Sequence, residues 1–431
     1  MEGARRHAEN CIIDCPAWIR AQIAAHRRFH ALCNPDIIRL NSLNKGESSA
    51  SLTVPFFDLH RQYARLKAEI DQAVAQVIES GHFVLGPRVS QFEKQMSSYL
   101  GVHEAIGVAS GTDALLLALR ACNVKPGDEV ITTPFTFVAT IETIIMAGAT
   151  PVFADIEPIS MNISPEQIAK KITNKTKAII PVHLFGYAAD MPKILELAKA
   201  HDIKVVEDAA QGIGSGLSGK KAGSFGDAGC LSFFPTKNLG AFGDGGMVTT
   251  SDPAIAEEVR ILRGHGSRRT YYYDEIGMNS RLDEIQAAIL SVKFAHLSEL
   301  TRQRQSRAAL YAKTLADLPV QLPSAPKNGD HTYHQYTIRS PHRDAIRTSL
   351  AARGIGSMIY YPLSLHLQKA YAYLGHHPGD FPESEKAQNE VLSLPIFPEL
   401  TDAEVFEVAA ALRTILLQEQ PWKNGASVPV S

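Results

Sequence analysis

From Val54 onward the chain alternates short, solidly apolar runs with longer stretches whose apolar residues recur every three or four positions. The runs "AIGVAS" (105–110), "DEVITTP" (128–134), "TPVFADI" (150–156), "TKAIIPVHLFG" (176–186), "IKVVED" (203–208), "GCLSFF" (229–234) and "GGMVTT" (245–250) predict strands. Between them, "TDALLLALRAC" (112–122), "FVATIETIIMAG" (137–148) and "DMPKILELAKAHD" (190–202) predict helices. Strands apolar on both sides and separated by helices imply an α/β domain with a mostly parallel sheet covered on both faces.

After Asp252 the pattern changes and helices dominate. One helical stretch is expected from about Arg281 to Ala316, then a strand at "YHQYTIRS" (333–340) and a helix at "RDAIRTSLAARG" (343–354). A further strand is expected at "MIYYP" (358–362) and a last helix over 402–418. This reads as a smaller C-terminal α+β domain. The expected division is a poorly ordered extension over 1–54, a large domain over 55–300, a small domain over 301–418 and a flexible tail over 419–431. Within the extension, "PAWIRAQIAAHRRFHAL" has amphipathic helical spacing and "NSLNKGESSASLT" has linker composition.

Composition removes several alternatives. A formal net charge of -2 and a pI near 6.8 give no basic excess for nucleic acid or an anionic membrane surface. No apolar run reaches the roughly 18 residues that read as a membrane span. Five scattered cysteines, an odd number, suggest reduced thiols and a cytoplasmic protein. Cys11, Cys15 and Cys33, with His7 and His26, match no zinc spacing, so no metal is expected.

In doubly wound sheets, ligands bind beyond the carboxyl ends of the strands, so residues just after each apolar run deserve inspection. "SGTDA" (110–114) joins a strand to a helix, offering hydroxyls, a close backbone approach at Gly111 and free helix N–H groups. That is a phosphate cradle, or else a plain turn with a capping threonine. Asp208, at the end of "IKVVED", would serve as counter-ion to a ring nitrogen, or as a structural cap. Glu207 alternates to the other face of the strand and reads as structural. Lys237, in "FFPTKNLG", is either a surface lysine or a desolvated amine able to attack a carbonyl. Phosphate cradle, strand-end aspartate and lysine together are the three anchors that pyridoxal 5′-phosphate (PLP) needs.

The strings "VPFFDL", "GPRVSQFE", "SGTDALLLAL", "GDEVITTPFTFVAT", "KAIIPVHLFG", "VVEDAAQ", "SFFPTKNLGAFGDGGMV", "GMNSRLDEIQAAIL" and "IYYPLSLHLQKAY" occur in collinear order. In these, the chain from Val54 to Leu417 resembles the DegT/DnrJ/EryC/StrS family of PLP-dependent nucleotide-sugar aminotransferases, of aspartate-aminotransferase-like fold (fold type I). The resemblance implies that Lys237 forms the Schiff base with PLP and shuttles a proton, that Asp208 pairs with the pyridine nitrogen, and that Gln211 bonds the ring oxygen. It implies that Phe137 stacks on the ring and that Gly111, Thr112 and Ser232 hold the phosphate. Asn279 would reach the phosphate of a neighbouring subunit, making a homodimer with shared active sites, with Arg281 and Asp283 organising the dimer. His183, Tyr361 and His366 would contact the sugar nucleotide; the plainer readings are a satisfied strand-end histidine for His183 and packing in the small domain for Tyr361 and His366. The basic and aromatic loop 263–275 would meet a sugar diphosphate, or else be merely solvated.

The implied reaction is transfer of an amino group, with glutamate as donor, to a keto-sugar linked to a nucleotide, favouring sugar C3 of a dTDP- or UDP-sugar. Some relatives carry histidine in place of the lysine and dehydrate; Lys237 favours transamination. A dehydratase of the same fold, a C4-aminating relative and a non-catalytic regulatory homologue are the alternatives.

Overall fold

The computed structural model describes residues 53–424. Seven strands form its main sheet: β1 (Glu104–Val108), β2 (Glu129–Thr132), β3 (Thr150–Phe153), β4 (Thr176–Ile179), β5 (Lys204–Asp208), β6 (Ala228–Ser232) and β7 (Gly246–Thr250). Their order is β1-β7-β6-β5-β4-β2-β3. Strands β2 to β6 pair in parallel, whereas β7 lies antiparallel between β1 and β6.

The helices of this part are α1 (Leu59–Ser80), α2 (Pro87–Leu100), α3 (Gly111–Ala121), α4 (Ala139–Met146), α5 (Pro165–Lys171), α6 (Met191–Ala200), α7 (Pro253–Arg263), α8 (Glu284–Ala295) and α9 (Leu297–Leu315). Side chains alternate across the sheet, as strand geometry requires. Val206, Cys230 and Val248 pack under α3 and α7, while Val205 packs under α6 and Leu231 and Met247 under α2 and α8. Local signals set several helix ends. Asp58 caps α1 by accepting from the His60 and Arg61 N–H groups, and Gly81 ends it at φ 68°. Ser110 caps α3 by accepting from Asp113 N–H.

A second apolar core lies in the C-terminal part, around β8 (Tyr336–Arg339) and β9 (Val391–Leu394), which pair antiparallel. Helices α9, α10 (Arg343–Ala351) and α12 (Asp402–Arg413) pack there, and α11 (Pro382–Glu390) leads into β9. Val54 and Phe57 belong to this core as well, because Val54 bridges in parallel to Ile355. The first described turn therefore packs with the C-terminal helices, not with the main sheet that follows it in sequence.

Three expectations need correction. The helical stretch over 281–316 is two helices that meet at His296. "MIYYP" is not a strand: Met358 makes one isolated bridge to Ser393, and Tyr360 and Tyr361 then turn toward the strand ends of the main sheet. The last helix loosens into a π-helical turn over Thr414–Glu419. Beyond it Trp422 stacks on His342 at 4.0 Å and packs against the second core, in a stretch expected to fray. The amphipathic segment, the linker up to Leu52, and Cys11, Cys15 and Cys33 lie outside the described residues.

Candidate active site

The loops after β1, β2, β4, β5 and β6 gather at one end of the sheet and bring most of the candidate residues together. After β1, Ser110 and α3 put Gly111 against Ser232 at the end of β6: a Cβ on Gly111 would stand 2.7 Å from the Ser232 Cβ. A Cβ on Gly246, at the start of β7, would stand 2.2 Å from the Ser110 carbonyl oxygen. Glycine is thus required where three strands converge. The first N–H groups of α3 have no intrahelical acceptor, and Ser110 satisfies only that of Asp113. Thr112 stands half-buried on that first turn. N–H groups left free at a helix start suit a phosphate dianion.

Asp208 ends β5 and stays fixed through its backbone. Its N–H donates to Pro181 O at 2.9 Å, and its carbonyl accepts from His183 N at 3.0 Å. Thr140 Oγ1 donates to its Oδ2 at 2.8 Å, and Ala210 N–H donates to its Oδ1 at 3.2 Å. An ionised carboxylate has about four lone-pair sites. Among the described residues, the protein supplies Asp208 with these two donors and leaves capacity for a ring N–H.

Lys237 lies in the turn after β6, its N–H donating to Phe234 O at 2.8 Å. The residue is partly open to solvent, yet deep enough that desolvation pulls its amine down to about 8, against the opposing pull of Asp208. The next residue, Asn238, lies 3.2 Å (Oδ1) from His334 Nδ1, and Lys293 Nζ donates to Gly240 O at 2.7 Å. His334 is held well below the usual histidine value, first by burial and then by the charges of Lys237 and Arg304. Thr140, Asn238, His334 and Lys293 were not singled out from the sequence. Each is a lone polar residue whose partner lies far along the chain, so no local signal marks it.

Gln211 bridges the site to the C-terminal part: its Oε1 accepts from Phe185 N at 2.7 Å, and its Nε2 donates to Tyr361 Oη at 3.1 Å. One amide hydrogen remains for a cofactor oxygen. Phe137 is 55% exposed, and its ring centre lies 6.4 Å from that of Tyr361. A large apolar ring left so open at the mouth of a site offers a stacking face. Asn279 is exposed, while the neighbouring Ser280 donates to Asp113 and so ties this segment to α3.

Two expected substrate contacts are not at the site. His183 is fully buried: its Nδ1 accepts from Ala189 N at 3.1 Å, so Nε2 carries the proton given to Glu207 at 2.8 Å. Both nitrogens are spent on the scaffold. His366 is also buried, 3.1 Å from Glu385 through Nε2 and edge-on to Phe381 at 4.8 Å. Neither ring is free to meet a sugar nucleotide. Tyr361 alone of the three expected contacts reaches the site.

This architecture is that of the aspartate-aminotransferase-like, type I fold. Comparison with known proteins agrees. The crystal structure of S. venezuelae DesV in complex with a ketimine intermediate superposes with a TM-score of 0.83 at 42% identity, covering 85% of this chain and 99% of that one. A pleiotropic regulatory protein of Geobacillus stearothermophilus is 51% identical over 82% of this chain and 96% of its own length. The UDP-N-acetyl-3-dehydro-alpha-D-glucosamine 3-aminotransferase of Acidithiobacillus ferrooxidans is 46% identical over 84% of this chain and 98% of its own. The DegT/DnrJ/EryC1/StrS aminotransferase family model matches residues 64–413, and the chain belongs to that family.

Proposed function

We propose that the protein is a PLP-dependent aminotransferase that converts a nucleotide-linked 3-keto-sugar to the 3-amino-sugar, with glutamate as amino donor. The carrying observation is the pairing, at one end of the sheet, of a desolvated lysine with a buried aspartate that has acceptor capacity to spare. The 46% identity to a UDP-sugar 3-aminotransferase supports the C3 position. When bound, PLP supplies an electron sink for the carbanion left by removal of a proton and carries the amino group between donor and acceptor.

The chain's own residues do the rest. Gly111, Thr112 and Ser232 hold the phosphate. Phe137 covers one face of the ring, and Gln211 bonds its oxygen. Asp208 accepts from the ring N–H and keeps that nitrogen protonated. Lys237, uncharged once it loses a proton that desolvation has loosened, offers a nucleophile to an aldehyde and moves a proton at the reacting carbon. Tyr361 lines the substrate side.

The assembly is a homodimer in this reading, with Asn279 reaching the partner's phosphate site. Exposed apolar residues support it: Ile78, Phe83, Val84, Leu85 and Phe242 are all open. Tyr63, Val74, Ile78, Phe242 and Ile285 line an apolar cavity of about 680 Å³. Such a face in water favours association. The basic and aromatic hairpin around Arg269 and Tyr272 is then available to a diphosphate. A cytoplasmic setting fits Cys122 and Cys230, free buried thiols among the described residues.

The test is a panel of nucleotide keto-sugars incubated with glutamate. One 2-oxoglutarate released per amino-sugar formed supports the reading. Loss of water from the sugar without 2-oxoglutarate would mean a dehydratase.

A further inference from the structure

Thr140 sits on the first turn of α4, fully buried, directly behind Asp208. Its hydroxyl is 2.8 Å from Asp208 Oδ2 and 3.2 Å from Thr136 Oγ1. A carboxylate only accepts, so the Thr140 proton points to Asp208. Thr140 must then receive the Thr136 proton. The two threonines form a directed chain, Thr136 to Thr140 to Asp208, with every hydroxyl hidden from water. In a low dielectric such chains strengthen each member and fix its orientation.

The geometry points to Thr140 as the positioning residue of the cofactor counter-ion, with Thr136 as its support. This rests on the reading of Asp208 as partner of the ring nitrogen. Ala210 N–H, at 3.2 Å, is the weaker of the two bonds and comes from Asp208's own turn. Thr140 comes from another strand–helix unit, so its bond alone ties the carboxylate rotamer to the rest of the sheet. Without it only the Ala210 N–H restrains rotation of the carboxyl group about its last bond. Its remaining lone pairs then no longer hold one direction toward the ring.

The experiment compares wild-type protein with Thr140→Val, Thr140→Ser, Thr136→Val and Asp208→Ala, each loaded with PLP carrying a ¹⁵N label in its ring. The readouts are the ring-nitrogen NMR signal, PLP affinity by absorbance titration, kcat and KM, and the melting temperature of each apo-protein. Thr140→Val is expected to move the ring-nitrogen signal toward the unprotonated position. It should lower PLP affinity and kcat about tenfold, the scale of one bond to a charged group, with KM little changed. Thr140→Ser should restore the wild-type signal, and Thr136→Val should fall between. If Thr140→Val keeps the wild-type signal and affinity while Asp208→Ala loses both, the positioning role is wrong and the cofactor site stands. If Asp208→Ala also keeps both, the site reading itself fails. Equal losses in the valine and serine variants would reduce Thr140 to a packing residue and overturn the inference.

Discussion

Glu207 and Asp208 adjoin in the chain, face opposite sides of the sheet, and have opposite hydrogen-bond environments. Glu207 accepts from Gly223, Phe225 and Gly226 N–H groups at 2.8, 2.6 and 2.8 Å and from His183. The Asp208 carboxylate accepts from Thr140 and Ala210 only, among the described residues. One acid is saturated by the scaffold; the other has capacity to spare.

Glu207→Gln is therefore expected to destabilise. An amide NH₂ would confront backbone donors that a carboxylate accepted, at a cost of about 2–4 kcal/mol. Chemical denaturation measures it. Asp208→Asn should unfold within about 1 kcal/mol of wild type, since only two scaffold donors meet its carboxylate and an amide oxygen still accepts from one of them. It should nevertheless lose nearly all transamination.

The Lys237 amine, lowered to about 8 by burial, gives a pH prediction. Its neutral form reacts with aldehydes, so reloading of apo-protein with PLP should quicken as pH rises through about 8 and level off above. The stability sign follows. A lysine lowered in the folded state penalises folding fully below that value, and the penalty disappears as pH rises toward 10.5, its ordinary value. Lys237→Met apo-protein should thus melt higher than wild-type apo-protein near neutral pH, and the gap should narrow in alkali. Lys293, also lowered to about 8 by burial, adds a contribution of the same sign to both proteins. It cancels in the comparison.

Gly111→Ala places a methyl carbon against Ser232. PLP affinity should fall at least tenfold, because the backbone can no longer close around the phosphate. Isothermal titration or absorbance titration reads this, and a melting scan of the apo-protein checks that the fold survives.

Ile78→Asp tests the apolar face. On an uncovered surface such a change costs within about 0.5 kcal/mol. If a second copy covers Ile78, sedimentation should show dissociation, and activity should fall with it. An unchanged mass and activity would remove this face from the dimer.

The sheet was legible because each apolar run stops where polar, chemistry-bearing residues begin, and Asp208 and Lys237 stand at those stops. Glu207 was legible too, since strand alternation alone turns it away from Asp208. The burial of His183 and His366 was not: Glu207 and the Ala189 N–H hold the ring of His183, and Glu385 holds Nε2 of His366, partners that only the folded chain brings near. "MIYYP" misled because aromatic and β-branched residues fit strands, whereas here Tyr361 is spent on Gln211. The break at His296 was hidden because apolar spacing continues through Leu297 and Leu300, both buried. Thr140 carried no sequence signal, since its meaning is its distance to a residue 68 positions away.

The most direct test is a single-turnover assay on the PLP-loaded protein. Glutamate is expected to discharge the visible cofactor band of the wild type with release of one 2-oxoglutarate per site, and a nucleotide 3-keto-sugar should restore the band as the amino-sugar forms. Lys237→Ala should do neither at a comparable rate. A wild-type protein that binds no PLP, or a Lys237→Ala variant that turns over like wild type, would contradict the account.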